Sequence, residues 1–180
     1  MRQIRQGTFE TNSSSMHSIS ILKQGGQYTK EETESNMWIF GDGVLEPDAQ
    51  DIVYGRSPFR VLTTPNEKME YAIASYDSYA KFKEIEEIMR RHVAEIKEIK
   101  MPTADRWHYN WRNPSDPNFY GSVDHESMDV LDNFLSEHNV SLEDFIFDRR
   151  YIVWIDGDEY DIKGQMIEAG IIDKEKFEVL

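Results

Sequence analysis

The chain has 180 residues, enough for one ordinary domain with a sizeable core and too few for two full ones. It contains no cysteine, which excludes disulfides, thiolate zinc sites and cysteine nucleophiles, and at 39% hydrophobic and 12% aromatic it is too apolar for a disordered chain. Twenty Lys and Arg against 34 Asp and Glu give a net charge of −14, so phosphate repulsion opposes nucleic-acid binding over most of the surface.

Met1 to Gln6 has no apolar run behind it, so no secretory signal is predicted, and no stretch reaches the apolar length of a membrane span. Without disulfide chemistry, the expected location is a reducing cytoplasm. Ile19 to Leu22 reads as a short strand ended by Gly25-Gly26, and the polar residues 27–36 read as a loop. Met37 to Phe40 is a second strand candidate, closed by Gly41-Asp42-Gly43, and Phe59 to Thr63 is a third.

Thr64-Pro65-Asn66-Glu67 predicts a helix start, with a capping threonine, proline at the first position and glutamate at the third. Met69, Ala72, Ile73 and Tyr76 recur on one face. Tyr79, Phe82, Ile85, Ile88, Met89, Val93 and Ile96 continue the apolar stripe at spacings of three and four. Asp77 or Ser78 either caps a second helix or sits inside one long one. Lys81, Glu84, Glu87, Arg91, Glu95 and Glu98 form the opposite, solvated face.

From Met101 to Asp124 the periodicity breaks, and three prolines surround Trp107, His108, Tyr109, Trp111, Arg112, Phe119 and Tyr120. A long aromatic loop of this kind either folds onto the core or serves an interface. Glu126 to Glu137 resumes a helix that His138-Asn139 ends, and Ser141 opens a short one carrying Leu142, Phe145 and Ile146. Tyr151 to Ile155 is the strongest strand. Asp156-Gly157 is a preferred hairpin turn, so Asp158 to Ile162 is expected to return beside it. Lys163 to Ala169 is a short helix stopped by Gly170, and Phe177 to Leu180 a terminal strand. The expected fold is one α+β domain over 1–180. It has a mixed, mainly antiparallel sheet, packed against a long central helix or helix pair, and a C-terminal β-hairpin. The parts are strand-rich 1–64, helical 65–100, an aromatic loop 101–124, and helices with hairpin 125–180.

The charge is segregated: residues 1–30 sum to +3, 31–58 to −6, 59–120 to zero, and 121–180 to −11, with sixteen acids against five bases. Acidity promotes solubility, and a groove that normally holds nucleic acid would also attract it. The mildly basic start leaves direct nucleic-acid contact as a secondary option.

The run from Thr8 to Ser18 holds Glu10, Asn12, Ser13, Ser14, Ser15 and His17. Hydroxyls beside a histidine can hold an oxyanion or activate a serine, but a nucleophile needs its base positioned across space, which adjacency does not supply. A polar turn capping its own backbone accounts for the run more simply. Asp156-Gly157-Asp158-Glu159-Tyr160-Asp161, with Asp148, Asp124 or His125, has the oxygens a divalent cation wants. Strand alternation keeps Asp156, Asp158 and Glu159 from converging, so a solvated turn is expected instead. His17, His92, His108, His125 and His138 show no pair at metal-ligand spacing, and Asp124 reads as a helix cap. No metal, no cofactor and no catalytic residue is assigned.

Gly7-Thr8-Phe9-Glu10-Thr11-Asn12-Ser13-Ser14-Ser15-Met16-His17-Ser18 and Tyr120-Gly121-Ser122-Val123-Asp124-His125-Glu126-Ser127 resemble a group of small proteins from phages and mobile elements of Firmicutes-type bacteria. The closing Tyr151-Ile152-Val153-Trp154-Ile155-Asp156-Gly157-Asp158-Glu159-Tyr160 is similar to that group too. Within it the chain looks like an anti-CRISPR inhibitor of a type II effector nuclease. The resemblance implies an acidic binding protein, in the host cytosol, that occupies or distorts a basic nucleic-acid channel on a defence nuclease. Trp107, Tyr109, Trp111, Arg112, Asp124, Glu126, Asp129, Asp132, Asp156, Asp158 and Glu159 are the expected partner-binding residues. A metal-dependent enzyme acting on a phosphate or nucleotide, and a phage structural or assembly protein, are the alternatives.

Overall fold

The structure is a computed structural model that describes residues 16–35, 37, 39, 41–47, 53–54, 59–76, 78–100, 122–123, 127, 129–156, 162–170 and 177–179. Its main sheet has four strands: β1 (Met16–Leu22), β4 (Arg60–Leu62), β7 (Tyr151–Asp156) and β8 (Phe177–Val179), in the order β4-β7-β1-β8. All three pairings are antiparallel, with His17 opposite Ile155, Leu62 opposite Val153 and Ile21 opposite Glu178. Two short parallel pairs stand apart from this sheet. They are β2 (Val44–Leu45) with β5 (Glu98–Ile99), and β3 (Val53–Tyr54) with β6 (Ser122–Val123). The α+β class holds, with helices packed on an antiparallel sheet.

Tyr151 to Ile155 reads as unbroken apolar sequence because both faces of β7 are covered. Val153 and Ile155 join Ile19 and Leu62 in the main core, while Ile152 and Trp154 pack on the other face with Phe59, Val61, Met166 and Ile167. Both edges of β7 are also occupied, by β1 and β4. The expected hairpin return therefore has no free edge beside residues 153–155. Ile162, its last residue, opens helix α6 (Ile162–Glu168), and residues 157–161 lie outside the described set.

The helical layer is a pair, α2 (Pro65–Ser75) and α3 (Tyr79–His92), rather than one long helix. Tyr76 and Ser78 are extended, and the Ser78 hydroxyl accepts from Lys81 N to start α3. At the head of α2 the Thr64 hydroxyl accepts from Glu67 N at 3.3 Å, and Glu67 Oε2 accepts from the Thr63 and Thr64 amides at 2.9 Å each. Thr64→Ala removes half of this box and is expected to cost about 1 kcal/mol, read as a lower urea midpoint at unchanged slope. α2 is buried on nearly every side, Lys68, Met69, Glu70, Tyr71, Ala72, Ile73 and Ala74 included. α3 is amphipathic, with Phe82, Ile85, Ile88 and Met89 inward, and its stripe continues past the helix end through Val93 and Ile96.

α4 (Val130–His138) stops at Asn139, whose φ of 51° is left-handed, and the Ser141 hydroxyl caps α5 (Leu142–Phe147). Two expectations are corrected, and a third falls partly outside the described residues. Residues 27–36 are not all loop, since α1 (Lys30–Ser35) forms there on a reciprocal cap between Thr29 and Glu32, with N···O distances of 2.8 and 3.3 Å. Of the strand expected over Met37 to Phe40, Trp38 and Phe40 lie outside the described residues. Ile39 makes a single bridge to Leu45 around the Gly41–Gly43 reversal, and Met37 is buried outside any strand. Tyr79 is not part of the buried stripe: at the first position of α3 it is 52% exposed, stacked along Phe82 with Lys83 over its ring.

Candidate functional site

His17 belongs to β1 rather than to a polar turn, and it is 7% exposed. Its amide donates to the Ser127 hydroxyl at 3.2 Å, and its Nδ1 lies 3.3 Å from the Tyr71 hydroxyl. The Tyr71 ring lies 5.7 Å from the imidazole and 5.3 Å from the Tyr54 ring, over which Arg60 is placed. Burial pushes the Tyr71 phenol far above its ordinary value. The described parts of the three segments singled out in the sequence meet at β1: His17 hydrogen-bonds Ser127, and residues 16–21 pair with 151–156. This cluster ties strand, helix and loop together. A general base needs reach to a substrate, and a ring sealed at this depth has little.

Asp129 and Asp132 fall together at the start of α4, where carboxylates complement the helix dipole. With Glu137 they line its exposed face, while Leu131 and Phe134 face the core. Among the described residues these three carboxylates meet no Lys or Arg. By contrast Glu32, Glu46, Glu84, Glu86, Glu143 and Asp148 each pair with a base. Unpaired Glu31, Glu87, Glu95 and Glu98 differ, because each has a Lys or Arg within four residues of it along the chain. No Lys or Arg occurs anywhere in the 36 residues from 113 to 148. That gap was a usable sequence signal, sharper than the regional sum. Asp132 also sits beside the Tyr76 hydroxyl, whose phenol is raised by burial and then by this carboxylate.

Asp156 is not brought to that face. It ends β7 opposite Met16, on the side of the sheet that carries Trp154. Trp107, Tyr109, Trp111, Arg112, Asp124, Glu126, Asp158, Glu159, Glu10, Asn12, Ser13, Ser14 and Ser15 lie outside the described residues.

Two further clusters escaped sequence reasoning. Glu143 on α5 receives Arg91 at 2.5 Å and His92 Nε2 at 2.7 Å, and the His92 ring stacks on Phe147 at 3.8 Å, joining the end of α3 to α5. The Arg91 hydrogen bond, then that of His92, holds Glu143 below the usual carboxylate range. The second cluster surrounds Lys68, whose side chain is fully buried. Desolvation draws its amine down to about 7, against the pull of Asp148 and Glu67. Burial raises Asp148, but hydrogen bonds from the Arg150 side chain and backbone outweigh it and leave the carboxyl below its ordinary value.

Among the described residues no three carboxylates or imidazoles gather where they could hold a metal ion, and no helix is long and apolar enough to cross a membrane. No known protein family, no curated protein and no solved structure matches this chain.

Proposed function

We propose that the chain is an acidic binding protein that docks a basic partner on the outer face of α4. The observation that carries this reading is the set of exposed carboxylates Asp129, Asp132 and Glu137, which meet no Lys or Arg among the described residues, while the acids of α1, α3 and α5 are largely matched. Unmatched surface carboxylates repel one another and are attracted to a positive surface, and they speed its encounter. The partner we favour is a nucleic-acid-binding nuclease of a host defence system, of the type II effector class, met in the host cytosol. Its guide and target channels are lined with Lys and Arg to hold phosphate. The aromatic stretch 101–120, with Trp107, Tyr109, Trp111 and Arg112, supplies the residue types that anchor interfaces.

The test mixes the purified chain with a guide-loaded type II nuclease and follows both DNA cleavage and co-elution on a sizing column. Inhibition and a complex that weakens steeply between low and high salt are expected. Reversing the face with Asp129→Lys, Asp132→Lys and Glu137→Lys together should weaken association by at least about tenfold, mostly in the on-rate, with the fold retained. Unchanged cleavage with no co-elution would overturn the nuclease assignment. Undiminished binding by the triple variant would overturn the face.

A further inference from the structure

Lys68 points its amine into the junction of α2 with the segment before α1 and the turn between α5 and β7. Nζ donates to the Asp148 carbonyl at 2.8 Å, and the rings of Tyr28 and Phe145 flank it with centroids at 5.6 and 5.9 Å. The carboxylate of Asp148 is taken by Arg150, through its backbone N–H at 2.9 Å, Nε at 2.8 Å and Nη2 at 2.6 Å. Glu67, next along α2, is engaged in the helix cap. Arg149 adds a second positive charge at the same Tyr28 ring, 4.4 Å from its centroid, and its own partner is Glu32 of α1. Among the described residues an ammonium at this position therefore has one carbonyl and two ring faces, and the carboxylates of Asp148 and Glu67 are shared with other donors. Two π faces and one carbonyl recover only part of the hydration an ammonium gives up on full burial.

We propose that Lys68 is a proton-operated latch: the junction of α2 with Tyr28 and the α5–β7 turn closes on the neutral amine and loosens when that amine is protonated. The amine's fall from 10.5 to about 7 agrees with this geometry. Because the folded value lies below the unfolded one, the contribution is fully present above about 10.5, declines as pH falls, and is gone below about 7. The change in the folded molecule's own charge is centred near neutrality. The backbone bonds that span the junction are Tyr28 N to Phe147 O at 2.8 Å, Arg149 N to Gly26 O at 3.0 Å and Leu22 N to Arg150 O at 2.7 Å. Their amides report its opening.

The experiment follows the Lys68 Cε resonance of the full chain by NMR and, in parallel, hydrogen exchange at the Tyr28 and Arg149 amides from about pH 8.5 to about pH 6, corrected for intrinsic exchange. The resonance should titrate near 7, well below the exposed lysines. Protection at the two amides should fall by at least about tenfold on acidification, and should stay level in Lys68→Met, which cannot be charged. Lys68→Arg, always charged, should show the weakened protection at every pH. A Cε titration near 10.5, or the same loss of protection in the methionine variant, overturns the proposal. Should either variant fail to fold, the titration and exchange profile of the unaltered chain still decide.

Discussion

Phe145→Ala is expected to cost about 3–5 kcal/mol, the largest loss from any single truncation considered. Its ring is fully buried, edge-on to Phe134 at 6.3 Å and within 5.9 Å of the Lys68 amine. Truncation removes the ring's transfer free energy and leaves a cavity. α5 is only six residues long, and the helices around it are locked to one another, so the site has little freedom to collapse. The same change takes away one of the two rings that cover the Lys68 amine, so the cavity opens beside a buried polar group. Against a total stability of about 5–15 kcal/mol, this leaves a marginal fold, with a fall in Tm of about 10 °C or more. Phe145→Leu, which keeps much of the volume, should cost about 1.5 kcal/mol. Urea unfolding of the two variants side by side measures both. A loss below about 1 kcal/mol for the alanine variant would show that this core is not packed as described.

Local physics was legible in the sequence, and long-range pairing was not. The Thr64-Pro65-Asn66-Glu67 cap, the Ser141 cap, the stop at Asn139 and the apolar run of β7 are each decided within a few residues, and each stands where it was read. The Thr29 to Glu32 cap was equally local, but the polar composition around it masked a helix too short to show an apolar stripe. The hairpin after Asp156 rested on a turn preference alone. Which strands flank β7 is settled instead by Ile19, Leu62 and Val153 reaching one core from distant parts of the chain. The candidate site divides in the same way. That the last third is acidic follows from counting, whereas which carboxylates lack a base depends on where Lys81, Lys83, Arg90, Arg91, Arg149 and Arg150 end up. Lys68 lies among Glu67, Met69 and Glu70 at the head of a helix, where a charged side chain reads as solvated. Its burial follows from Tyr28 and the Asp148 turn closing over it.

Gly43→Ala should be the second most damaging substitution, at about 2–4 kcal/mol, for two causes that add. Gly43 holds φ at +87°, a conformation that costs an L residue about 1–2 kcal/mol. A Cβ there would also stand 2.7 Å from the Glu95 carbonyl oxygen and 3.0 Å from Lys97 Cγ. The lysine side chain can swing aside, but the carbonyl belongs to the backbone that leads from α3 into β5 and can move only by shifting that segment. The same glycine accepts the Lys97 amide at 2.8 Å, and Lys100 N donates to Leu45 O at 2.8 Å, so the clash falls where β2 and β5 are joined. Gly41, two residues earlier, has open space where its Cβ would be and no positive φ. Gly41→Ala should therefore stay within about 0.5 kcal/mol of the unaltered chain. The pair separates site-specific strain from any general intolerance of the loop. Hydrogen exchange at Lys97 and Lys100 should accelerate in the Gly43 variant alone. Equal effects at the two positions would mean that the 41–43 turn does not approach the Glu95 carbonyl as closely as this geometry requires.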